Sequence, residues 1–331
     1  MRYVKFAVAA VVAVVVAVVL ATAASLVLGG PSDIHTLKSI SDPFQDVDFR
    51  GLPPVSRFTA RDGTPLAYRR YSPASGGNVL GSVILIHGSS ATSESMHPMA
   101  QSFAAAGYTV YCLDIRGHGA SGEKGRIAYV GQLDDDVDDF IRATQPAHPR
   151  TLAGFSFGGG FAMRVAGGPR KTQFDNYLFL TPYINHSAST NRPNDSVKWA
   201  SVGIPRLVSL MALNEVGITR LNDLPVVNFG ISDDPRADLT PWYSYALSVT
   251  FQPEEDYRTG LRAIAAPAEL LVGQDDEVFF AERFRTVLDE AGRPDIPVTI
   301  VPGTGHVALT LSDAGRRAAV AAVARLDARK P

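Results

Sequence analysis

The sequence predicts an α/β protein with a mostly parallel sheet covered by helices on both faces. Two observations carry that prediction. Short apolar runs such as SVILI at 82–86 alternate with longer segments of helical periodicity, the pattern of βαβ units. The 331 residues are 46% hydrophobic and 19% charged, so the chain has the material for a sizeable core. That length suits one large domain with an insertion, or two modest ones.

The first element stands apart from the rest. Residues 6–28 form a 23-residue run without a charge, in which only Thr22 and Ser25 are polar. About 20 such residues span the hydrocarbon core of a bilayer as a helix. Arg2 and Lys5 precede the run, which favours a cytoplasmic N-terminus and an exported remainder. The competing reading is a secretory signal cut after Ala21-Thr22-Ala23, with the protein then secreted. Either way the bulk of the chain is expected outside the cytoplasm. Residues 29–55 are polar and carry Pro31, Pro43, Pro53 and Pro54, and read as a linker.

A globular region follows. Asp62-Gly63 between two strand-like runs marks a hairpin over 58–71. Strands are predicted at 82–86, 108–113, 150–154, 177–180, 269–272 and 297–301. Helices are predicted at 98–106, 157–166, 279–291 and 312–329, with another marked by Leu133, Val137, Phe140 and Ile141. The core carrying the sheet is thus expected in two parts, 56–180 and 267–331.

Residues 181–266 break the alternation. The stretch is rich in Pro, Asn and aromatics, and 196–214 reads as a helix disturbed by Gly203 and Pro205. A structureless loop of that size is foreign to a compact domain, so a helical insertion lying over one end of the sheet is expected.

Several features point away from other functions. The formal net charge of −2 offers no basic excess for nucleic acid. The one cysteine, Cys112, cannot form an intramolecular disulfide and sits in an apolar run, where a buried structural thiol is expected. The acidic cluster Asp134-Asp135-Asp136 with Asp138 and Asp139 lacks calcium-loop spacing and reads as a solvated helix face. No metal or cofactor is expected. His35, His97, His148 and His186 carry no partner pattern and read as surface residues.

The chemistry gathers at the carboxyl ends of the predicted strands, where parallel α/β sheets bind ligands. Gly154-Phe155-Ser156-Phe157-Gly158 fits G-x-S-x-G, the sequence form of a sharp strand-to-helix turn with a serine at its tip. The strand at 269–272 runs into Asp275, Asp276 and Glu277, and that at 297–301 leads to His306. The order Ser, Asp, His is that of α/β-hydrolases. A serine hydroxyl needs an imidazole to take its proton, and the imidazole needs a carboxylate to fix its tautomer. Spacing alone leaves the three carboxylates unranked. The helix after Ser156 aims N–H donors at the serine, so Phe157 N–H is a candidate oxyanion donor, with Ser89 on the loop after 82–86 as the second. His87 precedes the serine and is expected to shape that loop.

The segment Asp114-Ile115-Arg116-Gly117-His118-Gly119-Ala120-Ser121 resembles the D-x-R-G-H-G-x-S segment of the monoacylglycerol lipase and lysophospholipase branch of α/β-hydrolases, which is grouped with serine aminopeptidase-like hydrolases. The resemblance spans about 58–328, with His87-Gly88, G-x-S-x-G, G-x-x-D and the final histidine in register. It implies Ser156, Asp276 and His306 as triad, selecting Asp276 over Asp275, with Ser89 and Phe157 as oxyanion donors and 181–266 as cap. The N-terminal apolar segment and the cap sequence depart from the family pattern, which leaves the substrate open. The expected activity is hydrolysis of carboxylic esters, favouring lipid-like ones such as a monoacylglycerol or lysophospholipid. A peptidase is the rival enzyme, suggested only by the acidic runs Asp233-Asp234 and Glu254-Glu255-Asp256, and a non-catalytic binding protein is the rival class.

Overall fold

A computed structural model describes residues 2–34, 42–74, 79–192, 199–231 and 238–329, and among these described residues eleven strands organise the fold. In chain order they are β1 (Val55–Thr59), β2 (Pro65–Tyr71), β3 (Ser82–Ile86), β4 (Thr109–Leu113), β5 (Arg150–Phe155), β6 (Asn176–Leu180), β7 (Ala200–Val202), β8 (Pro225–Phe229), β9 (Trp242–Ser244), β10 (Ala268–Gly273) and β11 (Val298–Val301). Eight form the main sheet in the order β1-β2-β4-β3-β5-β6-β10-β11. All pairings from β4 to β11 are parallel, and the β1–β2 hairpin joins antiparallel at one edge.

Every residue of β3, β4, β6 and β10 is buried, as a sheet covered on both faces requires. Strand alternation sorts the side chains. Val83 and Leu85 join the cluster that contains Met99 and Phe103 of the helix at His97–Ala105 and Ala319 and Val323 of that at Asp313–Ala328. Ile84 and Ile86 join the opposite cluster, with Phe140 of the helix at Gln132–Thr144 and Phe161 of that at Phe157–Gly167. Cys112 is buried in the first cluster, and burial pushes its thiol up.

The N-terminal helix α1 runs from Arg2 to Leu28, taking in Arg2 and Lys5 ahead of the apolar run and ending with it. Its stretch Tyr3–Leu28 is 26 residues with a mean hydropathy of 2.9, long and apolar enough to cross a membrane by length and composition.

Between β6 and β10 the chain leaves the sheet. The insertion carries the helices α2 (Ile204–Glu215), α3 (Tyr245–Thr250) and α4 (Tyr257–Ala263), and also a three-stranded antiparallel sheet β7-β8-β9 that the sequence did not announce. β7 and β9 have three residues each, too few to display a period of two. α2 starts at Ile204 because Pro205 fits the first helical turn rather than the interior, while part of the expected 196–214 helix lies outside the described residues.

Three further expectations need correction. The acidic helix face is not solvated: Asp134, Asp136 and Asp139 are buried. Arg164, Arg116 and Arg61 cover them respectively, at 3.0, 2.7 and 3.1 Å, so arginines from distant segments supply what the helix's own pattern cannot show. Burial raises the Asp134 and Asp136 carboxyls, and the arginines work against that rise. His97 is buried rather than on the surface, with Nδ1 2.9 Å from the Tyr71 hydroxyl and Phe49 stacked on its ring. The helix expected at 279–291 is only Arg283–Glu290, because the residues before it are committed to other bonds. Phe279 N–H donates to Asp276, and Phe280 N–H donates to the Thr190 carbonyl. His148 and His186 are largely exposed, and His35 lies outside the described residues.

Candidate active site

Strand β5 ends at Phe155 and the next helix begins at Phe157, so Ser156 alone makes the turn. It does so at φ 55° and ψ −119°, a conformation that non-glycine residues rarely occupy. The flanking glycines permit it. A Cβ on Gly154 would lie 2.0 Å from the Gly158 carbonyl oxygen, and one on Gly158 would lie 2.3 Å from that of His87. The Ser156 carbonyl accepts from both Gly160 and Tyr183 N–H, and its own N–H donates to Leu180. The turn is therefore held from the strand, the helix and the start of the insertion.

The other predicted residues converge on this turn. His306 Nε2 lies 3.1 Å from Ser156 Oγ, and His306 Nδ1 lies 2.9 Å from Asp276 Oδ2. All three side chains are buried. Phe155 and Phe279 flank the imidazole at 4.9 and 5.3 Å between ring centres, restricting its orientation. Gly88 packs against the serine, a Cβ there falling 3.5 Å from Ser156 Cβ, which brings the Ser89 loop alongside Ser156. Phe157 is the first residue of its helix, where N–H groups have no intrahelical acceptor.

The three carboxylates left unranked by spacing have separate places. Asp275 is exposed. Glu277 accepts the His306 backbone N–H at 2.9 Å. Asp276 is the one that reaches the imidazole ring, and its other oxygen accepts from Val278 and Phe279 N–H at 2.9 and 2.8 Å. Burial raises its carboxyl, but the His306 charge and hydrogen bond, the Thr181 hydroxyl and the Phe279 N–H together hold it below the usual range.

Two partners escaped sequence reasoning. Thr181, the residue after β6, donates its hydroxyl to Asp276 Oδ2 at 2.5 Å. Tyr243 of β9 reaches across from the insertion: its hydroxyl accepts Ser90 N–H and meets His118 Nε2, both at 2.6 Å. Thr240 adds two bonds to Ser90, and Ser90 sits at φ 64°. No local pattern marks either residue, since each acts on a segment far away in sequence.

The Asp114–Ser121 segment is the frame around that loop. Asp114 accepts from Ser93 and Ala120 N–H, Arg116 pairs with Asp136 and Asp62, and Ser121 Oγ accepts Ala67 N–H. His87 Nδ1 lies 2.7 Å from the Gly88 carbonyl and its Nε2 accepts from Ile115 N–H, so its ring is the neutral Nδ1–H tautomer. Burial lowers both His87 and His118, which favours their neutral forms. The expected loop-shaping position of His87 agrees with these bonds.

A buried serine, imidazole and carboxylate in hydrogen-bonded sequence, at the carboxyl ends of such a sheet, define an α/β-hydrolase. The family model described as serine aminopeptidase, S33, matches residues 77–311, and the chain belongs to that family. It is similar to the monoacylglycerol lipase of Mycolicibacterium smegmatis, 24% identical over 259 residues that cover 75% of this chain and 88% of the relative. Among solved structures it resembles a soluble variant of monoglyceride lipase from Saccharomyces cerevisiae bound to a substrate analog. There the TM-score is 0.65 at 18% identity, covering 86% of this chain and 99% of that one. The monoacylglycerol lipase of Paleococcus ferrophilus matches with a TM-score of 0.58 at 20% identity, covering 80% and 99%. The fold is thus that of an α/β-hydrolase of the monoacylglycerol lipase type.

Proposed function

We propose that the chain is a serine hydrolase of carboxylic esters with Ser156 as nucleophile, His306 as general base and Asp276 as the carboxylate that orients it. The observation that carries this reading is the bridge His306 makes between Ser156 Oγ and Asp276 Oδ2. Ser156 Oγ attacks the ester carbonyl while its proton passes to His306 Nε2. The tetrahedral oxyanion is held by Ser89 and Phe157 N–H, and His306 returns the proton to the departing alcohol oxygen as the C–O bond breaks. Water, deprotonated by His306, then attacks the acyl carbon and frees the acid and Ser156.

A lipid-like ester, a monoacylglycerol or lysophospholipid, is the favoured substrate class, supported by the similarity to monoacylglycerol lipases and by α1 read as a membrane span. The hydrolase domain then lies on the exported side, with 181–266 as cap and 29–55 as linker. Of the carboxylates that suggested a peptidase, Glu254 lies 3.6 Å from Arg164, Glu255 lies 3.9 Å from His186 and Asp256 caps α4, while Asp233 and Asp234 lie outside the described residues.

A fluorophosphonate probe should label the wild type and leave Ser156→Ala unlabelled, with ester turnover falling on the order of 10⁵-fold in the variant. Equal labelling would remove Ser156 from its role. Rates on an acyl-chain series should rise with length beyond short soluble esters, and a peptide panel run alongside should stay flat.

A further inference from the structure

The end of α1 and the start of α2 cap each other. The last carbonyls of a helix and its first N–H groups have no partners within the helix. Arg206, in the first turn of α2, donates from Nε to the Leu26 carbonyl at 2.8 Å and from Nη2 to that of Val27 at 3.1 Å. In return, the Arg206 backbone N–H donates to the Gly29 carbonyl at 3.2 Å. The negative end of one helix thus meets the positive end of the other, with a guanidinium on the carbonyls. The junction leaves no slack. A Cβ on Gly203 would lie 2.6 Å from the Gly30 carbonyl carbon, so only a glycine there lets the two backbones touch.

The junction also reaches the small sheet. The third nitrogen of Arg206, Nη1, donates to the Pro225 carbonyl at the head of β8 at 2.8 Å. Ser32 N–H donates to Ser201 Oγ of β7 at 3.0 Å, and the Asn228 amide of β8 donates to the Ser32 carbonyl at 3.3 Å. β8 pairs in turn with β9, Pro225 opposite Ser244 and Val227 opposite Tyr243. Strands of three, five and three residues depend on what packs around them. Tyr243 is the residue whose hydroxyl accepts Ser90 N–H. A continuous path of bonds therefore runs from residues 26–32 to the loop of Ser89, crossing only β8 and β9.

We propose that residues 26–32 are a structural part of the insertion and that Arg206 is a positioning residue for ester hydrolysis, acting through β8, β9 and Tyr243 on the oxyanion loop. Its effect on rate rests on the esterase reading, and its hold on the loop does not. Every residue of the junction follows Ala21-Thr22-Ala23, so the junction persists whether the apolar run stays as an anchor or is cut there.

The test uses the full chain in detergent micelles, with residues 26–32 confirmed by intact mass and the fold of each variant by circular dichroism. Arg206→Gln leaves two N–H donors and no charge where three carbonyls need partners. Gly203→Ala wedges the junction from the other side and leaves Arg206 in place. In both, amide exchange over 88–92 should speed up by about tenfold, while that over 275–279 should change by less than about twofold. On esters, kcat should fall about tenfold with KM within about threefold of wild type. Because Arg206 acts through Tyr243, adding Arg206→Gln to Tyr243→Phe should lower kcat by less than about twofold further. Exchange over 88–92 at the wild-type rate in a folded variant overturns the proposal, and so does equal acceleration over 275–279, the mark of general loosening. So does a rise in KM at constant kcat, or a double variant whose losses multiply, since Arg206 would then act by another route. A wild type that turns over no ester removes the esterase reading alone, and the exchange rates still decide whether the junction holds the loop.

Discussion

The two sides of Ser156 are assembled from different parts of the molecule. On the imidazole side, Asp276 and His306 follow directly from β10 and β11, two neighbouring parallel strands of the main sheet. On the opposite side, the loop carrying Ser89 follows β3 but is held from the insertion, where Tyr243 and Thr240 bond Ser90. The first side inherits its geometry from sheet register. The second depends on a segment outside the sheet staying in place. A change in the insertion can therefore weaken the proposed oxyanion site without disturbing the proton path.

The largest effect that sharpens this contrast belongs to the sheet-held side. Asp276→Asn should lower kcat/KM by about 10⁴-fold, because the amide cannot hold the required tautomer or stabilise the imidazolium. The same variant has a signature in stability. Asp276 is held below the usual carboxylate value of about 3.9, so its ionised form stabilises the fold above that pH, and the contribution is lost as pH falls through the depressed value. Denaturation midpoints of wild type and variant should differ most near neutrality and converge below about pH 4. Curves that stay parallel to the acid limit would show that Asp276 gains nothing from its partners.

The middle effect probes the insertion-held side. Tyr243→Phe removes the acceptor for Ser90 N–H and the partner of His118 Nε2 while keeping the ring packed against Phe229. Tyr243 is a positioning residue in the proposed scheme, and a shift of the oxyanion loop by a fraction of an ångström should lower kcat on the order of 10–100-fold. KM should change by less than about twofold, since the lost interaction serves the transition state alone. A rise in KM at constant kcat would assign Tyr243 to substrate binding and break the contrast between the two sides.

The same division governs what the sequence reveals. β3, β5, β10 and β11 are visible because each is a local apolar run, and Ser156 and His306 are visible because each follows such a run at short range. His306 needs only the end of β11 to be located. Tyr243 and Thr181 are invisible because their partners, Ser90 and Asp276, are 153 and 95 residues away. The acidic helix fails for the same reason, since the arginines that cover it come from the hairpin turn, the Arg116 segment and the helix after Ser156. Periodicity tells which side of a helix is apolar. It does not tell whether a charged side will meet opposite charges that bury it.

The smallest effect tests whether the sheet-held side depends on one carboxylate or on several. Glu277 and Asp276 both serve His306, but at different atoms: Glu277 takes the backbone N–H and Asp276 takes the ring. Glu277→Gln keeps an oxygen where the backbone N–H needs one, so the loop retains its acceptor and loses only a charge, on a group that remains partly exposed to water. Its kcat/KM should stay within about threefold of wild type. A loss approaching that of Asp276→Asn would mean that the imidazolium is stabilised by the pair of carboxylates jointly. The assignment of orientation to Asp276 alone would then give way to a shared field from both groups.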